Sequence, residues 1–194
     1  MKRTKPKYKQ IVDAAVIVIA ENGYHQAQVS KIAKEAGVAD GTIYLYFKNK
    51  EDILISVFRE KMAIFAENIK EILTKDLPIS EKLFQVVENH FRVLQDDPHL
   101  AIVTQLELRQ SNKELRFQIN NVLKEYVLLL DNLLEQGVEK GELSSDLDLR
   151  LARQMLFGTM DETTTSWVMN DQKYDLISLA PKVSRMLLHG YQQQ

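Results

Sequence analysis

Residues 29–47 read VSKIAKEAGVADGTIYLYF, and the fold is decided on this stretch. Ile32, Ala33 and Ala36 recur at helical spacing and form the inner face of a short helix. Gly37 permits the turn that follows, and Val38 fills the space between two helices. Asp40 is placed to N-cap a second helix that turns Ile43 and Phe47 inward. Gly41, Thr42, Tyr44, Leu45 and Tyr46 are then left on the outward or leading surface. Two helices crossing steeply present the second to a DNA major groove, which is wide enough to admit it. Many helical hairpins share this bare pattern, so its meaning depends on the flanking chain.

The flanks read as helix throughout. A helix runs from about Lys7 to Asn22 and stops at Gly23, a residue suited to a left-handed cap. From Glu51, the residues Leu54, Phe58, Met62, Phe65, Ile69 and Ile72 step by three or four and hold the helical period over about five turns. Pro78 breaks that run, and Ser80 opens a helix with Leu83, Val87, Phe91 and Leu94 inward. Asp96-Asp97-Pro98 is the next break. Leu115, Ile119, Val122, Tyr126, Leu129, Leu133 and Gln136 mark a long helix that ends around Gly137–Gly141. Two helices, about 146–169 and 174–190, follow. No strand-like alternation persists and no internal repeat is present. The expectation is an all-α chain of about nine helices joined by short connections.

Composition narrows the classes further. The chain has 194 residues, 45% of them hydrophobic and 27% charged, which excludes disordered and collagen-like chains. It has no cysteine, so disulfide scaffolds, thiol nucleophiles, iron–sulfur clusters and Cys-ligated zinc are out. The longest apolar run, Ala14–Ala20, is far short of the roughly 20 residues that span a bilayer. The basic start MKRTKPKYK has the charge of a signal peptide, but Asp13 and Glu21 bracket the apolar run and no cleavage pattern follows. A soluble cytoplasmic protein without membrane partners is expected. The net charge of −2 hides an asymmetry: residues 1–50 carry nine Lys/Arg and four acids, so the rest of the chain is strongly acidic. A basic first quarter points to a polyanion at one end only.

Enzymatic readings find no support. The chain has no Gly-x-Ser-x-Gly, no P-loop and no Gly-x-Gly-x-x-Gly. His25, His90, His99 and His189 are far apart and form no metal-ligating pair, so no catalytic residue, metal or cofactor is expected. Each histidine reads most simply as a surface or capping residue.

The longer string from Gly23 to Leu54, GYHQAQVSKIAKEAGVADGTIYLYFKNKEDIL, closely resembles the DNA-binding domain of TetR-family transcriptional repressors. The Gly-Val turn, the Gly-Thr-Ile-Tyr opening of the recognition helix and the Tyr-Phe-Lys-Asn-Lys-Glu lead into the fourth helix carry the likeness. It implies a helix-turn-helix DNA-binding domain over residues 1–50 and an effector-binding and dimerisation domain over 51–194. It also implies DNA contacts from Gln28, Ser30, Asp40, Gly41, Thr42, Tyr44, Tyr46, Lys48 and Lys50. Small residues at the start of a recognition helix allow close approach, while tyrosine hydroxyls and lysine ammoniums suit phosphate oxygens. Where the family often has Thr, this chain has Gln28, a weaker helix N-cap.

Leu100–Arg116 (LAIVTQLELRQSNKELR) and Arg150–Leu176 (RLARQMLFGTMDETTTSWVMNDQKYDL) resemble the branch of that family that controls fatty-acid degradation. The resemblance implies a repressor released from a pseudo-palindromic operator by long-chain acyl-CoA. Such a ligand needs a dry apolar path for its tail, each buried methylene contributing about 0.8 kcal/mol. It also needs cations for its phosphates, for which guanidinium is well shaped. Arg109, Arg116, Arg150 and Arg153 are the candidate cations, and Gln110 and Asn112 suit the pantetheine amides. Phe91, Leu94, Leu106, Met155, Phe157 and Trp167 are candidates to line the tail. A rival reading, a cationic drug held by Glu107, Asp161, Glu162, Tyr126 and Trp167, would need carboxylates at the mouth of the site. Family members pair their last two helices across a two-fold axis. Gly158, Thr159, Val183, Met186 and Leu187 fit such a homodimer seam, Gly158 through close backbone approach. Ligand binding is then expected to shift the helix around Pro98–Arg109, and through it the helix from Glu51, altering the spacing of two DNA heads.

Overall fold

The structure, a computed structural model, describes residues 6–191; Lys2, Arg3 and Lys5 of the basic run lie outside them. Among the described residues all regular structure is helical, as the sequence predicts. The helices are α1 (Pro6–Asn22), α2 (Val29–Glu35), α3 (Asp40–Ile43), α4 (Lys50–Thr74), α5 (Ile79–Asp96), α6 (Pro98–Glu107), α7 (Lys113–Glu139), α8 (Leu149–Met169) and α9 (Ala180–Tyr191), with one 3₁₀ turn at Ile177–Leu179. Among the described residues no helix is long and apolar enough to cross a membrane, and no three potential metal ligands cluster. The chain divides into two compact units, residues 1–62 with 99–123, and residues 63–98 with 124–194. This grouping differs from a cut after residue 50, because the start of α4, all but the first residue of α6 and the start of α7 belong with the N-terminal helices.

In the first unit α1 packs on α2 and α2 on α3. Gly23 ends α1 with φ 71°, and its N–H reaches the Ile19 carbonyl at 2.8 Å. Gly37 ends α2 in the same left-handed region, with φ 61°, where a side chain would be strained. There the Val38 N–H returns to the Ala33 carbonyl at 2.9 Å and the Gly37 N–H to Lys34 at 3.1 Å, a Schellman closure. Asp40 does not N-cap α3: Ala39 occupies that position and Asp40 is the first helical residue, its charge resting on the first turn. The helix α3 holds α geometry for only four residues. The turn then runs on, with both Tyr46 and Phe47 N–H groups on the Ile43 carbonyl at 3.0 Å. Buried Tyr8 of α1 stacks on Phe47 at 5.2 Å and fixes the far end of that turn. The Lys48–Asp52 stretch carries its own caps. Asn49 Oδ1 accepts from the Asp52 N–H at 2.8 Å, and the Asp52 carboxylate accepts from the Lys48 N–H at 3.0 Å.

In the second unit α5, α8 and α9 pack on one another. Leu83, Val87, Phe91 and Leu94 are buried as their spacing predicts, but α5 opens from Pro78, with Ser80 inside its first turn. Lys82 and His90 are buried on the same face. Lys82 is only 2% exposed and donates to the Leu73 carbonyl near the end of α4 and to Gln136 Oε1, both at 2.9 Å. On the long helix α7, Leu115, Ile119, Tyr126 and Leu133 are buried as their spacing predicts, while Leu123 and Leu130 take the buried places expected for Val122 and Leu129. Gly137 lies inside α7, where an added Cβ would come within 2.6 Å of Leu143. The turn beyond that helix falls to Gly141, with φ 70°. Asp148 caps α8 by accepting from the Leu151 N–H at 3.0 Å. Tyr191 ties α9 back to it by donating to the Ala152 carbonyl at 2.7 Å.

Candidate DNA-binding head and effector body

The DNA-contact candidates of the first unit lie at the start of α2, in α3 and in the stretch up to Lys50. Gln28, Ser30, Asp40, Gly41 and Lys48 are exposed, Thr42 and Tyr46 half-buried, and Tyr44 and Leu45 stand out at 60% and 63% exposure. Nothing lies within 4 Å of where a Gly41 Cβ would be, so the backbone there is open to an approaching surface. Gln28 stands at the N-cap of α2 but makes no side-chain cap bond. Lys50 is turned inward: its ammonium donates to the His25 carbonyl at 2.8 Å and sits 4.7 Å above the Tyr24 ring. Burial draws this ammonium below the ordinary lysine range, with the Glu107 carboxylate acting the other way. Lys50 therefore braces the head, and Lys48 is the more open cation of the pair.

Glu107, the last residue of α6, is the other half of that brace. Its Oε1 accepts from the Tyr24 backbone N–H at 2.8 Å, and its Oε2 accepts from Gln110 Nε2 at 2.6 Å. Arg116 donates in turn to the Gln110 carbonyl at 2.9 Å. Burial first, then the carboxylates of Glu51 and Glu107, push the Tyr24 hydroxyl up to about 12. Glu107 is thus committed to structure, which removes it from the set of acids that a cationic drug would need.

The candidate ligand residues divide between the units. Leu106, Arg109, Gln110 and Arg116 fall in the first, where Gln110 is buried and the other three exposed. Phe91, Leu94, Arg153, Met155, Phe157 and Trp167 fall in the second. Phe91 and Leu94 are buried, and Phe157 packs edge-on to Tyr126 at 6.1 Å. Trp167 has a structural task, its Nε1 donating to the Tyr174 carbonyl at 2.7 Å. Arg153 is ion-paired with Asp131 at 3.0 Å, so its charge is already answered within the chain. Arg150 and Asn112 are exposed. Sequence reasoning missed the centre of this unit, where His90 is not a surface residue. It is 7% exposed, its Nδ1 lies 2.9 Å from the Tyr126 hydroxyl, and Phe65 and Phe91 flank its ring.

Two family profiles cover this chain. Residues 11–57 match the bacterial regulatory proteins of the tetR family, and residues 58–190 match the YsiA-like protein C-terminal region. The chain belongs to the TetR family. Among its TetR-family relatives, the fatty acid metabolism regulator protein of Bacillus subtilis is 63% identical over 98% of both chains. A crystal structure of the transcriptional regulator FadR from Bacillus subtilis in complex with stearoyl-CoA matches with a TM-score of 0.91, covering 94% of this chain and 98% of that one. The fatty acid degradation regulator FadR of Bacillus halodurans, 61% identical, matches with a TM-score of 0.92 over 95% of this chain and all of that one. The resemblance drawn from the three quoted strings holds, and these TetR-family relatives are transcriptional regulators.

The last two helices of a TetR-family chain carry the remaining candidates. Gly158 is exposed on α8, and nothing lies within 4 Å of its Cβ position, so no neighbour in its own chain explains a glycine there. Leu151, Met155 and Met169 are exposed on the same helix and Met186 stands 75% exposed on α9. Thr159 and Val183 are half-buried. Leu187 is buried within its own chain and belongs to the intrachain core rather than to an open seam.

Proposed function

We propose that this chain represses genes of fatty-acid degradation and leaves a pseudo-palindromic operator when long-chain acyl-CoA binds it. The observation that carries this reading is the 63% identity, over 98% of both chains, to a fatty acid metabolism regulator. A FadR structure of the same identity holds stearoyl-CoA. The open backbone at Gly41 and the exposed Tyr44 and Lys48 support a recognition face on which Gly41 and Thr42 meet base edges. Tyr44 and Tyr46 meet phosphates or bases and Lys48 meets a phosphate, assisted by Ser30 and Gln28, while Asp40 stands in the first turn of α3 as an acceptor for a base edge. Lys50 acts indirectly, by holding His25 and Tyr24 in place.

Within the second unit the acyl tail is taken by apolar side chains, Phe91, Leu94 and Phe157 among them. The chain acts as a homodimer through the open stripe of α8 and α9, with Gly158 at its tightest point. A two-fold pair of heads reads half-sites one helical turn or more apart. The protein is a regulator of the cytoplasm and catalyses nothing.

Fluorescence anisotropy on the chain's own upstream DNA, titrated with palmitoyl-CoA, free CoA and palmitate, tests the reading. Salt is held fixed because phosphate contacts make affinity steeply salt-dependent. Release by palmitoyl-CoA alone is expected. Tight DNA binding untouched by all three ligands would remove the acyl-CoA reading and keep the DNA-binding one.

A further inference from the structure

Among the buried side chains of the second unit, His90 has a nitrogen with nothing to bond. Its ring sits among aromatics, 5.2 Å from Phe65, 6.1 Å from Phe91 and 6.2 Å from Tyr126 between centroids, with Phe157 a further 6.1 Å beyond Tyr126. Nδ1 is 2.9 Å from the Tyr126 hydroxyl, while Nε2 is buried and has no hydrogen-bond partner. An orphaned polar group in such surroundings is unfavourable in a resting protein, and an apolar ring in its place would be free of that penalty.

Donor counting fixes the tautomer. The ring is neutral, because burial lowers His90 to about 4. A neutral imidazole has one N–H and one bare nitrogen. If the Tyr126 O–H donates to Nδ1, both of those groups are satisfied and only Nε2–H is left over. If Nδ1–H donated instead, the tyrosine proton and a bare Nε2 would both be stranded. Burial, reinforced by the Asp161 carboxylate, pushes the Tyr126 hydroxyl upward and keeps that proton in place for donation.

A lone N–H donor in an apolar cage calls for an acceptor that is neutral and arrives with an apolar body. A carboxylate does not fit, since a buried ion loses far more in desolvation than one neutral donor returns. A thioester carbonyl fits. We propose that His90 Nε2–H holds the thioester carbonyl oxygen of the acyl ligand within the Phe65, Phe91, Tyr126 and Phe157 cluster, and that this bond makes the effector body prefer acyl thioesters to free fatty acids. The proposal rests on the acyl-CoA reading above and adds the residue that recognises the reactive end of the acyl group.

The test compares palmitoyl-CoA with S-hexadecyl-CoA, a thioether with the same head and tail but no carbonyl. Dissociation constants are measured by calorimetry on the wild-type protein, His90→Phe and His90→Gln. The wild type is expected to bind the thioester about three- to tenfold more tightly than the thioether, as one neutral hydrogen bond allows. His90→Phe should bind both alike, and His90→Gln, which keeps an N–H donor, should recover part of the preference. Infrared spectra of [1-¹³C]palmitoyl-CoA bound to the wild type read the same bond without any substitution, as a carbonyl stretch moved to lower frequency than in apolar solvent. Equal binding of the two ligands by the wild type, an unmoved stretch, or a preference that survives in His90→Phe would overturn the assignment. If the wild type binds neither CoA ligand, the acyl-CoA reading itself fails and takes the assignment with it. Equal, tight binding of both leaves that reading standing and removes only the role of His90.

Discussion

The Glu107 carboxylate, at the last residue of α6, accepts the backbone N–H of Tyr24 at 2.8 Å, joining two residues 83 positions apart in sequence. Tyr24 follows directly on the Gly23 cap of α1, and its ring lies under the Lys50 ammonium, 4.7 Å away. A movement at the end of α6 therefore acts on a main-chain atom of the head rather than on a mobile side chain. A coupling of this kind can work only if the ligand favours one arrangement of that bond over the other.

Glu107→Ala removes the acceptor and leaves a backbone N–H without its partner. Stability should fall by about 1–2 kcal/mol, the range for a charge-assisted bond that is partly solvated. The concentration of palmitoyl-CoA needed for half-release of DNA should change as well. Denaturant melts and the anisotropy titration read the two effects, and an unchanged release curve would mean that the bond carries no coupling.

Gly41→Ala separates folding from recognition. Its Cβ would meet nothing within 4 Å, so the melting midpoint should stay the same or rise slightly, since alanine is the better helix former. DNA affinity should drop by at least about tenfold, the loss associated with one poorly fitted base contact. Lys48→Gln should instead weaken binding to all sequences and lower the salt-dependence slope by about one. An unaffected affinity in Gly41→Ala would place the base contacts elsewhere on the face.

Acid should destabilise the fold through His90. Its folded value, about 4, lies below the ordinary 6.5, so the unfolded chain binds this proton more readily than the folded one. Stability from this group is full above about pH 6.5 and is lost as pH falls toward 4, by up to about 3 kcal/mol. Chemical denaturation from pH 7.5 to 4.5 should show this limb in the wild type. The limb should be shallower in His90→Phe, and identical limbs would place the acid sensitivity in other groups.

Gly158→Arg tests the seam. The position is open within a single chain, so the fold has no internal reason to object. Sedimentation velocity is expected to give a dimer for the wild type and a monomer for this variant, with affinity for a two-half-site operator falling in parallel. A dimer that persists would move the interface away from the exposed stripe of Leu151, Met155, Gly158 and Met169 on α8.

Much of this was legible in the sequence, for identifiable reasons. Helix positions follow from apolar spacing and from glycines: Gly23 occupies the left-handed cap its place foretold, and Gly37, expected to permit the turn, does so in the left-handed region. The recognition turn was legible because small and polar types are grouped there. His90 was misread by residue type, although its position was informative: it lies three residues after Val87 and seven after Leu83, on the same inner face. The choice of Leu123 over Val122 and of Leu130 over Leu129 on α7 could not be read, because the members of each pair are equally apolar and only tertiary contacts choose between them. Gly137 and Gly158, each inside a long helix, have different settings, Gly137 pressed against Leu143 and Gly158 open, and no local signal separates them. Nor does spacing reveal that Arg153 is already neutralised by Asp131, 22 positions earlier.

The first compact unit is stitched from two stretches of chain, residues 1–62 and 99–123, that are separated by 36 residues of the other unit. A helix-turn-helix grafted from this protein onto a different regulator by cutting after residue 50 would leave Glu107 behind, and with it the acceptor for Tyr24. Exchange of heads between relatives should therefore succeed only when the α6–α7 corner travels too or when the recipient supplies its own carboxylate there. The portable unit of this protein is therefore a discontinuous one, residues 1–62 together with 99–123, rather than the helix-turn-helix alone.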